Sequence, residues 1–567
     1  MSLARMAGLY LALFAGGCLW LSQASSSELR IHDIQGRTHV SPFKGEWVTA
    51  VRGIVTAVRT NGFYMQDHSP DQDEATSEAI FVFTQAAPKV AVGNAVEVDG
   101  QVDEFRPAVS SAIANLSTTN IVSPAVRVLS EGNPLPVAVE LGAGGRTPPL
   151  HIRERSGGVD ASKDFDPTQD ALDFYESLEA MRVQMRAARV IAPLNAQGDL
   201  AIIGEDAQGR LSPRGALLVD AAHFNPQRIF LSHSGIDRAQ VGDRLENIQA
   251  VLDYRFGHYT LHLTTTPSRH SVSLMAEHAT NAHRGDLSIA VYNVENLDGR
   301  DAQWRFDRIA EHIVCNLQEP DIVGLLEIQD SNGAVDDGNV DAGLTLKRLT
   351  EAIARLGGPL YNWSAIDPGH NEDGGEPGAN IRQVFLFDPA RVSLAAAPVR
   401  IAPGNSAFYS SRKPLVQTFR FRQHLLHAVL NHFVSKRADE PLFGVQQPPR
   451  RPSEGQRQQQ AKAVAHYIRT LGAEANAVVL GDLNDFEFGP ALGILAGGGL
   501  HNLTLDLPPE ERYTYIHEGN AQALDHALVS APLVGRSVYD IVHINAEYPA
   551  ALRASDHDPV LLRLRLQ

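Results

Sequence analysis

Residues 478–486 read VVLGDLNDF: an apolar run stops at a glycine, then an acid and an amide follow two positions apart. Residues two apart on extended chain point the same way, so Asp482 and Asn484 face one spot beyond the strand end, with Leu483 turned back. The pattern recurs. Asn293 and Glu295 close YNVEN, Glu327 closes LLEIQD, Asn431 and His432 stand in NHFVSK, Asp525 lies in LDHAL, and Asp556 and His557 lie in SDHDP. Each alone also fits a turn or a cap, because Asp, Asn and Gly are ordinary turn formers. Together they set carboxylates, amides and imidazoles at six strand ends, the side-chain types used for metal ligation and acid–base work.

Such ends need strands to deliver them. The run Ala477–Leu480 is short, β-branched and unalternating, which predicts a strand covered on both faces. From about residue 286 similar runs, LSIAVYNV, DIVGLLEI, VFLFD, HAVLNHFV, AVVLGDL, HALVS and VLLRLRL, alternate with helical stretches at 303–317 and 454–471. The second of these keeps Ala461, Val464, Ala465, Ile468 and Leu471 on one face. Strands separated by helices over roughly 280 residues predict one layered α/β domain, residues 286–567.

The first half has a different texture. Residues 92–106, VGNAVEVDGQVDEFR, align without a gap on residues 241–255, VGDRLENIQAVLDYR. Strand-like sequence precedes each copy, WVTAVRGIVTAV and NGFYMQD before the first, MRVQMRAARVIAP and GALLVDA before the second. Short alternating strands punctuated by glycine predict two small all-β OB-like barrels, residues 28–125 and 179–280. Such a barrel serves equally as a binding module or a spacer. Residues 126–178, rich in Pro, Gly and charge, read as a linker leading into a helix.

At 567 residues the chain exceeds one core, and 43% hydrophobic with 20% charged residues describes globular material. A net charge of −17 excludes a basic nucleic-acid coat, but not an enzyme that bridges its acids to a phosphate through cations. Arg5, an apolar stretch from Met6 to Leu21 and then SQASSS fit a secretory signal over residues 1–24, and hence a secreted, extracellular or periplasmic protein. A lipid anchor at Cys18 is the weaker alternative, and the run is short for a membrane span. Cleavage after Ala24 leaves only Cys315, which excludes an intramolecular disulfide.

The order N…E…NH…GDLND…DH…SDHDP resembles the endonuclease/exonuclease/phosphatase superfamily over residues 286–567. The whole chain resembles bacterial extracellular nucleases, through IQGRTHVSPFKG, TSEAIFVF, DFYESLEAMRV and NIRQVFLFDPARV. The resemblance implies a four-layered β-sandwich of DNase I-like type, two mixed sheets face to face with helices outside and one cleft where the strand ends meet. It also implies hydrolysis of a phosphodiester in nucleic acid, DNA favoured over RNA, by a monomer.

By that resemblance Asp482 orients or deprotonates water, Asn484 holds a phosphate oxygen, His557 and Asp525 form the catalytic dyad, and His432 donates to the phosphate. Glu327 is the expected first metal ligand, with Asn293 and Asp556 beside it; oxygen donors without thiols select Mg²⁺ or Mn²⁺. One position departs from the pattern. Where relatives carry a glutamate that partners the second histidine, this chain has Ile381 followed by Arg382. Arg382 is therefore expected either to give a cation to the phosphate or to form a surface salt bridge. Arg412, Lys413, Arg450, Arg451 and Arg457 are candidates for the nucleic-acid backbone or for solubility alone. Residues 330–343, with Asp330, Asp336, Asp337 and Asp341, could wrap a Ca²⁺ but lack the full spacing of a calcium loop. Two alternatives remain: a sphingomyelin-type or inositol-phosphate hydrolase on the same fold, and a decayed nucleic-acid-binding protein.

Overall fold

The computed structural model describes residues 28–107, 114–232, 236, 238–280 and 285–566. The signal reading of residues 1–24 and the anchor at Cys18 lie outside these. Among the described residues no helix is long and apolar enough to cross a membrane, and Cys315 is a free, exposed thiol.

Strands Trp47–Arg59, Gly62–Gln66, Ala79–Phe83, Ala95–Phe105 and Thr118–Ser130 close into a barrel in the order first, second, third, fifth, fourth. The third and fifth pair in parallel and the other neighbours antiparallel. Strands Arg182–Val190, Leu200–Gly204, Ile229–Ser232, Arg244–Arg255 and His258–Leu263 repeat the same cycle with the same directions. The aligned stretches 92–106 and 241–255 contain the fourth strand of each barrel, so the sequence repeat marks a topological one.

Two expectations need correction here. The stretch GALLVDA forms isolated bridges, Leu211 to Leu217 and Leu218 to Ala521, in place of a barrel strand. Its Ala216 and Leu218 pack with Tyr513 and Ala521 from the far end of the chain, and that packing overrides its local strand pattern. Residues 126–178 lead into a helix as expected, but they are packed between the barrels as more than a connection. The strand Thr118–Ser130 runs past residue 125, and the helix Ala171–Glu176 is buried along its whole length. Its Leu172, Phe174 and Tyr175 share one core with Tyr64 and Ala79 of the first barrel and with Val183, Ile202 and Leu261 of the second.

His39 fastens this helix to the N-terminal segment. Its Nε2 lies 2.7 Å from Asp173 Oδ1 and its Nδ1 3.1 Å from Glu176 Oε2. Burial opposes the charge, yet Glu176 and Asp173 outweigh it and hold the imidazole up at about 9. A folded pKa above the unfolded one stabilises fully below about 6.5, and the contribution is lost as pH rises through about 9. His39→Gln should therefore cost about 3 kcal/mol at pH 6 and much less at pH 10, read as the difference in melting temperature from the parent. A difference independent of pH would show that His39 is not held as the charged partner of these acids.

In the second half two sheets pack face to face. One runs Asn362–Ala365, Arg382–Phe387, Ile322–Ile328, Leu287–Leu297, Val560–Leu564, Ser537–Ile541; the other Ser393–Leu394, Leu415–Phe421, His424–His432, Ala477–Asp482, Asp525–Ser530, Leu500–Asn502. Between them Leu287, Val291, Leu326 and Phe385 meet Leu430, Val478, Leu480 and Ala527. On the outer face of the first sheet, Ala290, Tyr292 and Leu325 pack on Phe306 and Ile309 of helix Gln303–Glu311 and on Leu349 and Ile353 of helix Gly343–Arg355. On the outer face of the second, Val429, Val479 and Leu528 meet Ala461, Val464 and Ile468 of helix Glu454–Leu471. The strand Ala477–Asp482 thus sends alternate side chains into two cores, as its unbroken apolar run predicts. Each such side chain contributes roughly 1.5–3 kcal/mol by burial.

Candidate active site

The sheet registers assemble the site. In the second sheet Asp482 pairs with His432 on one side and with Asp525 on the other. In the first sheet Asn293 pairs with Leu326, which sets Glu327 beside it. Gly481 makes the approach possible: its φ is +130°, and a Cβ there would lie 2.0 Å from the carbonyl oxygen of Asn431. Only glycine fits between the two strands.

Asn293 Nδ2 donates to Glu327 Oε1 at 3.0 Å and reaches Asp482 Oδ2 at 3.5 Å. The backbone N–H of Asn296 donates to Glu327 Oε2 at 3.1 Å. Asp482 accepts from the Asn484 backbone at 2.8 Å and from Asn484 Nδ2 at 3.1 Å. His432 Nε2 lies 3.6 Å from Asp482 Oδ2 and 3.7 Å from Glu327 Oε1. Glu295, Asn296, Glu327 and Asn484 all take left-handed backbone, with φ of 52°, 54°, 59° and 48°. Non-glycine residues in that region cost roughly 1–3 kcal/mol each, and they persist where surrounding structure over-determines them.

On the other flank His557 Nδ1 lies 2.7 Å from Asp525 Oδ2, an oxygen that also accepts from Thr514 Oγ1 at 2.7 Å. Asp525 Oδ1 is buried without a hydrogen-bond partner. Tyr515 stacks on the imidazole with ring centroids 4.6 Å apart. Ser555 Oγ accepts from the His557 backbone at 3.1 Å and donates to the Asn293 carbonyl at 2.7 Å, tying the two flanks together.

The electrostatics divide the groups by role. Burial, then Asp525, pushes the Asp482 carboxyl up to about 7. Burial disfavours charge on His557, but Asp525, Asp556 and Asp482 prevail and hold it well above the usual histidine range. Burial, with Arg412 and His557 nearby, holds His432 well below that range, so it is neutral. Glu295 is raised by burial and then by Asp556, with Glu327 adding. Clustered carboxylates that raise one another's proton affinity, with oxygen and amide donors and no thiol, fit a hard divalent cation.

Glu327, His432, Asp482, Asn484, Asp556 and His557 line one cleft of about 570 Å³, and Arg457 lies on its wall. Asn293 reaches the cleft group through Glu327, and Asp525 stands behind His557. Two expected residues are not brought there. Arg382 is buried, with its guanidinium bonded to Asp367 and to the Asn380 carbonyl, so it is a structural ion pair. Arg412 is buried and donates to the Phe433 carbonyl at 2.7 Å, so its charge reaches Glu327, Asp482 and His432 from behind the cleft and it does not line the wall. Lys413 pairs with Asp373. In the 330–343 loop the acids bind turn amides: Asp330 accepts from Asn380 and Asn332, Asp337 from Asn339, Asp341 from Gly343.

Sequence reading missed Lys436, four residues after His432, and Tyr515, which no motif marks. It also missed Phe224, Arg228 and Phe256 of the second barrel, which line the same cleft. His32, Asp71 and Glu78 bring three ligand atoms within 4.8 Å of one another beside the first barrel, again without a local motif.

A family model described as the Endonuclease/Exonuclease/phosphatase family matches residues 290–557. A second, described as a domain of unknown function (DUF8508), matches residues 140–272. No curated protein matches the chain. Among solved structures, D. rerio TDP2 complexed with single strand DNA product is 17% identical over 49% of this chain and 98% of that one, with a TM-score of 0.34. An endonuclease/exonuclease/phosphatase from Bacteroides vulgatus is 17% identical over 50% and 99%, TM-score 0.35. The human Nocturnin catalytic domain with bound sulfate is 15% identical over 49% and 92%, TM-score 0.35.

Proposed function

We propose, from the premise that residues 290–557 belong to the endonuclease/exonuclease/phosphatase family, that this protein is a secreted, metal-dependent phosphodiesterase that cuts DNA internally with little sequence preference. In this reading residues 28–125 and 179–280 are OB-like barrels and 286–567 a four-layered catalytic sandwich. The observation that carries it is the meeting of Glu327, Asp482, Asn484 and the His557–Asp525 pair in one cleft.

Asn293, Glu327 and Asp556 would hold the divalent cation, which when bound neutralises charge on the phosphoryl oxygens. Asp482, buried and pushed up to about 7, is poised to take a proton from the attacking water. Asn484 Nδ2 donates to Asp482 at 3.1 Å and to the Phe433 carbonyl at 3.2 Å, and it would hold a phosphate oxygen by turning the second of these N–H groups to it. His557 is held in the charged state by Asp525, so it donates to a phosphoryl or departing oxygen, where negative charge develops. His432, neutral, supports the same oxygens through Nε2.

Incubation with supercoiled plasmid, linear duplex, RNA and a choline phospholipid, with and without EDTA, tests the reading. The expected result is nicked plasmid that disappears with chelator. Choline release without plasmid cleavage, or cleavage indifferent to EDTA, overturns it.

A further inference from the structure

The cleft extends beyond the reacting centre to an arm beside Lys436, and part of its wall comes from the second barrel. Phe224 and Phe256 of that barrel line it, opposite Lys436 and Phe486 of the C-terminal half. The rings and cations form a connected run. Lys436 Nζ sits 4.0 Å from the Phe486 ring centroid, Phe486 meets Phe224 edge to face at 5.8 Å, and the Arg451 guanidinium lies 5.5 Å from the Phe224 ring.

Lys436 is the unusual member. Its Nζ is shielded from solvent and has no hydrogen-bond partner. Asp485 favours its charge most, ahead of Asp482 and Asp439, but makes no ion pair with it: Asp485 Oδ1 accepts from the Phe486 backbone at 3.1 Å and Oδ2 from the Ala491 backbone at 3.0 Å. A buried ammonium normally finds acceptors, because leaving it without them is expensive. Burial pulls this one down to about 8, which leaves it mostly charged at neutral pH. An anion arriving with a ligand would supply such an acceptor. Arg451 and Arg437, both exposed, stand at the rim and add positive potential in a protein of net charge −17.

We propose that this arm is a subsite for a nucleotide flanking the scissile phosphate: Lys436 Nζ donates to the neighbouring phosphate, and Phe224 and Phe256 of the barrel receive the attached sugar and unpaired base. The proposal rests on the phosphodiesterase reading above and adds that the cleaved strand is engaged, locally unpaired, over more than one residue of a polymer, as an underwound plasmid permits. Aromatic faces take any base, which suits cleavage without sequence preference.

Binding separates the two claims. A fluorescein-labelled 12-nucleotide single-stranded DNA is titrated by anisotropy in EDTA, where no turnover occurs, with the full chain and with Lys436→Met, Lys436→Arg and Phe224→Leu. Lys436→Met should raise Kd at least fivefold and reduce the slope of log affinity against log salt by about 0.7, the value for one phosphate contact on a single strand. Lys436→Arg should keep the slope, and Phe224→Leu should raise Kd about threefold or more with the slope unchanged. A Lys436→Met slope equal to the parent's overturns the phosphate contact, even if affinity falls, because a merely misfolded cleft does not change ion release in this selective way. In cleavage assays the Lys436→Met loss on the 12-mer should exceed its loss on bis(p-nitrophenyl) phosphate at least tenfold, and equal losses overturn the subsite. If the parent cleaves neither substrate, the catalytic reading fails, and the anisotropy result alone decides the subsite.

Discussion

Asp482→Asn yields a folded protein whose single-turnover cleavage of plasmid falls by roughly 10³-fold or more. The substitution keeps the shape at the strand end and leaves an oxygen for the Asn484 backbone N–H, which donates to Asp482 at 2.8 Å. It removes the group poised to take the water's proton and the charge that faces His557. Stability should move the other way. Burial and Asp525 raise this carboxyl to about 7 in the folded chain, whereas an unfolded aspartate titrates near 3.9. The folded state therefore binds the extra proton between those values, and stability drops as pH climbs through that window. Asparagine cannot ionise, so in EDTA at pH 8 the variant should melt at the same temperature as the parent or a few degrees higher. A variant that retains more than a tenth of parental turnover, measured with saturating metal, would remove Asp482 from the proposed step.

His557→Ala should cost about 10²–10⁴-fold in kcat, and the informative comparison is with Asp525→Asn and the double variant. Asp525 has one oxygen shared by His557 and Thr514 and one with no partner at all. Its carboxylate thus acts on the reaction chiefly through the imidazole, and also by raising the proton affinity of Asp482. Once His557 is gone, removing the charge of Asp525 acts only through Asp482, and the double variant should match His557→Ala within about tenfold. Losses that multiply would show the two groups working independently. Asp525→Asn alone should also lower the apparent pKa of the limb that His557 governs, since the first favourable contribution to its charged state comes from this partner.

The parts of this architecture that could be read from residues alone are those with a strong local period. The helix Glu454–Leu471 and the strand Ala477–Asp482 lie where their apolar spacing puts them, and the internal repeat marks equivalent strands of two barrels. The convergence of Glu327, His432, Asp482 and Asp525 was legible because each stands at or beside the end of such a strand, with Asn293 inside one and His557 three residues before the last. What escaped was everything decided by packing between distant segments. Arg382 begins a strand next to the cleft, but Asp367, fifteen residues earlier, captures it. Glu295 is an ordinary acid until Asp556 and Glu327 are folded beside it. The Pro- and Gly-rich stretch before residue 178 read as a linker leading into a helix, yet Leu172, Phe174 and Tyr175 of that helix join two barrels through it. Local pattern says which residues are apolar, not which partner will cover them.

Tyr515, which lies on His557, belongs to the short hairpin formed by Tyr515–His517 and Asn520–Gln522. The barrel grips this hairpin from its other side. Arg228 Nε donates to the Glu518 carbonyl at 2.6 Å, Asn225 Nδ2 to Asn520 Oδ1 at 2.8 Å, and Leu218 bridges Ala521. The two halves of the molecule are consequently not interchangeable cassettes. A fusion that swapped in a foreign N-terminal module, or a shortened version begun near residue 286, would leave this ribbon unsupported and its tyrosine free to wander off the imidazole.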